Sequence, residues 1–249
     1  MPYTAGQWID STSTTTYDNV DPADHSSVWG KVPECSAEEV EAAVEAARKA
    51  FATWRFSTGD FRTKAFYRLT GMLKESEEVF VGLMTREMGK TLFDSRLDFL
   101  EAVGVCEAIS PQGASIKGVT YQKLTPGLSM ESRLAPRGVA AIITPFNFPL
   151  AIPMAQIMSA IISGCTVVWK PSHLVPECSQ AICALIECAL AQEAEAAGSR
   201  DLEAEALSRF RTLAERVHSA YSAGDEVGLT EAWSGIERLA LKEDNIILA

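Results

Sequence analysis

Between Arg137 and Lys170 the chain runs for 32 residues, 138–169, without a single charged side chain. Such a run belongs either in a bilayer or in a protein core, and about 20 apolar residues would suffice for a membrane span. Pro145, Pro149, Pro153 and Gly164 cut it into pieces shorter than a span, because proline and glycine interrupt helices. Residues 138–143 form a continuous apolar run of strand length, which predicts a strand buried on both faces of a parallel sheet. Residues 150–163 have helical length, with Pro153 near the first turn and Gly164 just past the end. Residues 166–169 are strand-like again. Strand, helix and strand joined by short loops make a βαβ unit with a right-handed crossover. The prediction is an α/β core and no membrane segment.

Upstream, Ser36-Ala37-Glu38-Glu39 has the form of a capping box, in which the Ser36 oxygen and the Glu39 carboxylate satisfy orphan N–H groups. Val40, Val44, Ala47, Phe51 and Trp54 then line up as one apolar helical stripe. Further helical patterns cover 61–73, 75–88 and 91–109, and another follows Pro176 through Leu190. Residues 111–137, broken by Gly113, Gly118, Pro126, Gly127 and Pro136, read as an extended hairpin. Residues 1–35, rich in Thr, Ser, Asp and Pro, read as an arm of short strands around 7–9 and 14–20. The predicted organisation is an arm over 1–35, an α/β unit over 36–190 interrupted by the hairpin 111–137, and an acidic helical tail over 191–249.

That tail holds twelve acids against six bases, and two stripes predict a helical hairpin: Ala206, Phe210, Leu213, Val217 and Tyr221, then Leu229, Trp233, Ile236 and Leu239. A parallel sheet of two strands exposes an edge and apolar faces, which the apolar side of the tail is expected to cover.

Charge and cysteine content narrow the function classes. Acids exceed bases 33 to 22, for a net charge of −11, which disfavours nonspecific nucleic-acid binding. The first residues show no basic segment followed by an apolar one, so no secretory signal is predicted. Six cysteines without an export signal are expected as reduced thiols, with the cytoplasm as the compartment. Cys178, Cys183 and Cys188 recur every five residues and fan around a helix, so even with His173 nearby they match no zinc spacing. No metal is expected.

Several short pieces occur in a telling order. They are Ala50, Phe51 and Trp54 with Arg62 and Tyr67-Arg68-Leu69, then Thr85-Arg86-Glu87-Met88-Gly89-Lys90. Pro136-Arg137-Gly138-Val139, Thr144-Pro145-Phe146-Asn147-Phe148-Pro149 and Trp169-Lys170-Pro171-Ser172 follow. The ordered set resembles the NAD(P)-dependent aldehyde dehydrogenase superfamily over roughly residues 5–190, about three-quarters of this chain and the first two-fifths of a usual member. The resemblance implies a partial aldehyde dehydrogenase-like α/β fold: N-terminal helices, a hairpin arm and a βαβ unit of the nucleotide-binding sheet, followed here by the helical tail. It also implies small aldehyde substrates, NAD or NADP as cofactor, and pairing with further copies or with complete family members.

By that resemblance Asn147 matches the amide that donates to the oxyanion formed when a thiolate attacks the aldehyde. An asparagine between two prolines also serves as a turn cap. Ile143, Thr144, Pro145, Phe146 and Asn147 match the lining of the cofactor cleft at a strand's C-terminal end, with Ser172 beyond it. Lys170 matches the lysine that hydrogen-bonds the adenosine ribose, although a solvated lysine at a strand end is common. His173 stands where the family commonly has a glutamate. A carboxylate there accepts from the ribose 2′-OH and repels a 2′-phosphate, whereas an imidazole does neither. The substitution predicts tolerance of, or preference for, NADP, unless His173 is simply a surface residue.

Other family features do not occur in the 249 residues. There is no G-x-G-x-x-G fingerprint. The Gly-Gln-x-Cys segment of the nucleophile and the Glu-Leu-Gly-Gly-Lys segment of the general base are also missing. All six cysteines precede the place where the nucleophile belongs, and Cys165 reads as an inert core thiol. Either the chain is a catalytically incomplete oxidoreductase, or it is a non-enzymatic interaction module that uses its arm and hairpin.

Overall fold

The computed structural model describes residues 2–122 and 125–196. The helical hairpin and surface-covering role expected of the tail 191–249 lie, beyond residue 196, outside the described residues. Two short antiparallel ladders open the chain, β1 (Tyr3–Thr4) with β2 (Gln7–Trp8) and β3 (Thr16–Asp21) with β4 (Asp24–Pro33). Helices α1 (Ala37–Trp54), α2 (Gly59–Glu75), α3 (Glu77–Met88) and α4 (Leu92–Ile109) follow, then a 3-10 turn, Ser110–Ala114. The hairpin β5 (Val119–Tyr121) and β6 (Met130–Ser132) precedes β7 (Val139–Ile143), α5 (Ala151–Ile162), β8 (Thr166–Lys170) and α6 (Pro176–Ala196).

The predicted capping box is present. Glu39 N–H donates to Ser36 Oγ at 3.3 Å, and Ser36 N–H donates to Glu39 Oε2 at 2.7 Å. The same carboxylate accepts from Ser11 Oγ and from Thr12 N–H, so it also ties the N-terminal segment to α1. Gly89, with φ +76, closes α3 in the left-handed conformation that a side chain resists, and Gly164, φ +85, does so beyond α5.

The core is built by α2 to α6 around Phe66, Leu69 and Leu73 of α2, with Phe80 and Met84 of α3 against them. Phe99 and Ala102 of α4, Met154 and Met158 of α5, and Ile182 and Leu185 of α6 complete it. The α1 helix joins through Thr166 Oγ1, which donates to the Ala47 carbonyl at 2.9 Å, and through its half-buried Trp54. Its stripe is only partly covered, since Ala47 alone is buried and Val40 is 49% exposed.

Two residues without side chains make one close packing point. A Cβ on Gly59 would fall on the Gly113 carbonyl oxygen, and one on Gly113 would come within 2.8 Å of Ile162 Cδ1. Helix propensity alone would favour alanine at Gly59 by up to about 1 kcal/mol. Overpacking against backbone is expected to outweigh it, so Gly59→Ala should lower stability by about 1–3 kcal/mol in urea unfolding. A stabilised variant would refute that contact.

The βαβ unit forms as expected, with β7 and β8 parallel and Ile143 opposite Lys170. Three expectations are corrected. The strand 138–143 is not buried on both faces, because Ala141 is exposed and Ile143 is 74% exposed, with only Ile142 inside. No third strand pairs with either one among the described residues, so much of the apolar run has no partner surface. Cys165 is half-buried instead of deep in the core. The last helix does not stop at Leu190 but continues to Ala196, because Ala191, Gln192 and Glu193 are buried and Glu193 pairs with Arg68 Nε at 2.9 Å. No helix among the described residues is long and apolar enough to cross a membrane.

Candidate functional site at the carboxyl edge of the parallel strands

Register decides where the predicted residues fall. Because Ile143 pairs with Lys170, the segment Thr144-Pro145-Phe146-Asn147 and the segment Pro171-Ser172-His173 leave the sheet side by side at its C-terminal edge. That edge is where open α/β sheets bind ligands. Thr144 is buried, its N–H donates to the Lys170 carbonyl at 3.3 Å, and its hydroxyl accepts from Trp169 Nε1 at 2.9 Å. Pro145, Phe146, Asn147 and Lys170 are exposed around it. Among the described residues the Asn147 side chain makes no hydrogen bond, and it is exposed.

Ser172 is half-buried, and its hydroxyl accepts from Leu174 N–H at 3.3 Å, which shapes the turn into α6. The exposed His173 ring lies against Tyr17 of β3, with centroids 4.7 Å apart and planes 30° apart. Tyr17 in turn has its hydroxyl pushed up by the neighbouring Glu34 carboxylate. The structure therefore brings all the predicted site residues to one edge and adds Tyr17 from the arm.

Beneath that edge lie groups that periodicity missed. The N-terminus of α5 has no cap from its own N-cap residue, Leu150. Asp98 of α4 supplies it, accepting from Ala151 N–H at 3.0 Å through Oδ1. Its other oxygen holds Lys90 Nζ at 2.7 Å, with the acid side chain 0% exposed and the lysine 9%. Lys90 also sits 4.3 Å over the Phe148 ring, next to Asn147, a cation–π contact. At the start of α6 the arrangement repeats. Glu87 accepts from Glu177 N–H at 2.8 Å, from Cys178 N–H at 2.9 Å and from Asn19 Nδ2 at 2.9 Å. One signal could have found these acids. Glu87 is in phase with buried Val79, Phe80, Leu83 and Met84, and Asp98 with buried Ser95, Phe99 and Ala102.

Burial pushes the Glu87 carboxyl up to about 8, against the downward pull of its three N–H donors. A folded pKa above the unfolded one means that the native state holds its proton more tightly. This contribution is full below the ordinary glutamate range near 4.5 and is lost as pH rises toward about 8. The slope is at most about 1.4 kcal/mol per pH unit. Urea midpoints between pH 5 and 8 should show the decline, and Glu87→Gln should flatten it relative to the parent chain.

Comparison with known proteins decides the family. A family model described as the aldehyde dehydrogenase family matches residues 8–194. The chain belongs to the aldehyde dehydrogenase family. Its curated relatives include a probable methylmalonate-semialdehyde/malonate-semialdehyde dehydrogenase [acylating], mitochondrial, of Aedes aegypti. That protein is 34% identical over 171 residues, which cover 69% of this chain and 33% of the relative. An alpha-ketoglutaric semialdehyde dehydrogenase of Bacillus subtilis (strain 168) is 32% identical, over 67% of this chain and 34% of its own length.

Among solved structures, betaine aldehyde dehydrogenase from Staphylococcus aureus in complex with NAD+ superposes with a TM-score of 0.72 at 30% identity. The match covers 75% of this chain and 37% of that one. A NAD-dependent benzaldehyde dehydrogenase from Corynebacterium glutamicum gives 0.69 at 30% identity, covering 75% and 40%. The chain thus spans about a third of the length of the curated relatives it matches. It carries a mixed α/β portion of the aldehyde dehydrogenase fold.

Proposed function

We propose that this chain supplies the oxyanion-donor turn and the ribose ledge of an aldehyde dehydrogenase site, and that it does not complete the oxidation by itself. The supporting observation is the Ile143–Lys170 register, which sets Asn147, on the loop after β7, and Lys170, the last residue of β8, at one edge. A neutral amide at Asn147 stabilises negative charge developing on an aldehyde oxygen without a proton to lose. Lys170 donates to a ribose hydroxyl, and the backbone of Ile143, Thr144, Pro145 and Phe146 lines the approach.

NAD(P), when bound, supplies the acceptor for the aldehyde hydride. The residues here fit its ribose end better than its pyrophosphate. Helix N-termini are the usual phosphate grips, but first-turn N–H groups of both helices at this edge already donate to protein carboxyl groups, Asp98 at α5 and Glu87 at α6. Binding is therefore expected to be weak, with a Kd of roughly millimolar order. With His173 in place of the usual glutamate, NADP should bind more tightly than NAD. Calorimetry with both dinucleotides tests the ledge and its selectivity together. Silence with both would remove the ledge, and equal or tighter binding of NAD would remove the selectivity.

A second reading rests on the surface. The β5–β6 hairpin is exposed along both strands, with Val119 at 55%, Tyr121 at 49% and Met130 at 48%, and Leu134 beyond it at 71%. Unpaired apolar strand edges of this kind add to another chain. Pairing with a second copy or with a complete family member follows, and co-purification with such a member tests it. Six free thiols suit a reducing compartment such as the cytoplasm.

A further inference from the structure

Among the described residues Glu87 makes no hydrogen bond to Asn147 or to residues 171–175, yet its side chain joins three parts of the molecule behind them. It sits in the last turn of α3, accepts two N–H groups of the first turn of α6, and accepts from the side-chain amide of Asn19 of β3. Asn19 lies two residues from Tyr17, so both side chains leave β3 on the same face. Asn19 is 4% exposed and Glu87 likewise 4%, so no solvent competes for the bond. Tyr17 then meets His173, three residues ahead of α6.

Resting on the reading of this edge as a nucleotide ledge, we infer that Glu87 is the positioning residue that locks the arm and the start of α6 together and so sets the Lys170-Pro171-Ser172-His173 ledge. Short segments between fixed ends have few conformations. Residues 171–175 are held at one end by β8 and at the other by the α6 turn that Glu87 anchors. Releasing either contact lets Ser172 and His173 move away from the geometry a ribose needs. A glutamine at position 87 offers one acceptor oxygen and turns an N–H2 toward a first-turn N–H, so at least one of the three bonds is lost.

The test uses the full chain with Glu87→Gln, Asn19→Ala and Gly59→Ala, the last as a variant destabilised far from this edge. Three signals are read: amide exchange at Glu177 and Cys178, the ring-proton shifts of His173, and AMP, NAD and NADP binding by calorimetry. Glu87→Gln should speed exchange about tenfold at one or both of these amides, move the His173 resonances toward those of a free imidazole, and weaken AMP about tenfold. Asn19→Ala should shift the His173 resonances while largely sparing the two amides, and Gly59→Ala should change none of the three. Unchanged His173 resonances in both edge variants would overturn the inference. So would unchanged AMP affinity in a Glu87→Gln protein that has lost its amide protection. If the parent chain binds none of the nucleotides, the ledge reading fails, and exchange and resonance data alone decide the role of Glu87.

Discussion

Incubated with NAD or NADP and a panel of short aldehydes, the purified 249-residue chain is expected to form no reduced cofactor above background. Oxidation of this type begins with a thiolate, and the described thiols are poorly placed to supply one. Burial pushes Cys106 and Cys183 up to about 12, which leaves only about one thiol in 10⁵ ionised near neutrality. Cys178 lies close to the Asn147 turn, its Sγ donating to the Pro149 carbonyl at 3.8 Å. It is fully buried and its thiol is pushed well up, by desolvation first and then by Glu87 and Asp98. Cys35 is raised by burial and by Glu39, away in the arm. Cys165 precedes β8, so the five residues of that strand separate it from the Lys170 edge by about 16 Å. Robust turnover, or an acyl adduct mapped to any of these thiols by mass spectrometry, would show that the nucleophile has been misplaced.

Asp98→Ala should be the most damaging single substitution near the site, lowering stability by about 3–5 kcal/mol. Two losses add. Ala151 N–H at the start of α5 loses its acceptor, and the Lys90 ammonium is left buried without its counter-charge. The Coulomb gain of the intact pair is largely offset by the desolvation of both ions, so the pair itself need not be strongly stabilising. Breaking it one-sidedly is what costs. Replacing both charges, as Lys90→Met with Asp98→Leu, should therefore recover part of the loss despite the missing cap. Urea unfolding of the three proteins measures this. An Asp98→Ala chain within about 1 kcal/mol of the parent would mean that Lys90 finds water or another partner.

Local features were legible because they are local. The βαβ unit follows from an uncharged run punctuated at Pro149, Pro153 and Gly164, and the start of α1 from Ser36 and Glu39, whose reciprocal bonds span three residues. The hairpin within 111–137 follows from its glycines and prolines. The misreadings share the opposite character. Apolar content at Ala141 and Ile143 suggested burial on both faces, but burial is supplied by neighbours, and the described residues hold only two strands of this sheet. The sequence pattern places the end of the last helix at Leu190, where acidic residues begin, whereas α6 runs on to Ala196. Arg68, 125 residues away, in fact receives Glu193.

Sequence alone therefore determined the order of elements, the family, and which residue types stand at the carboxyl edge: an amide at 147, an ammonium at 170, an imidazole at 173. Tertiary structure alone decided what holds that edge in place. Asp98 reaches Ala151 across 53 residues, and Glu87 reaches Glu177 across 90. Periodicity reports which side of a helix faces inward, but a buried carboxyl group is tolerated only where distant N–H groups converge on it. That convergence exists only once the chain has packed.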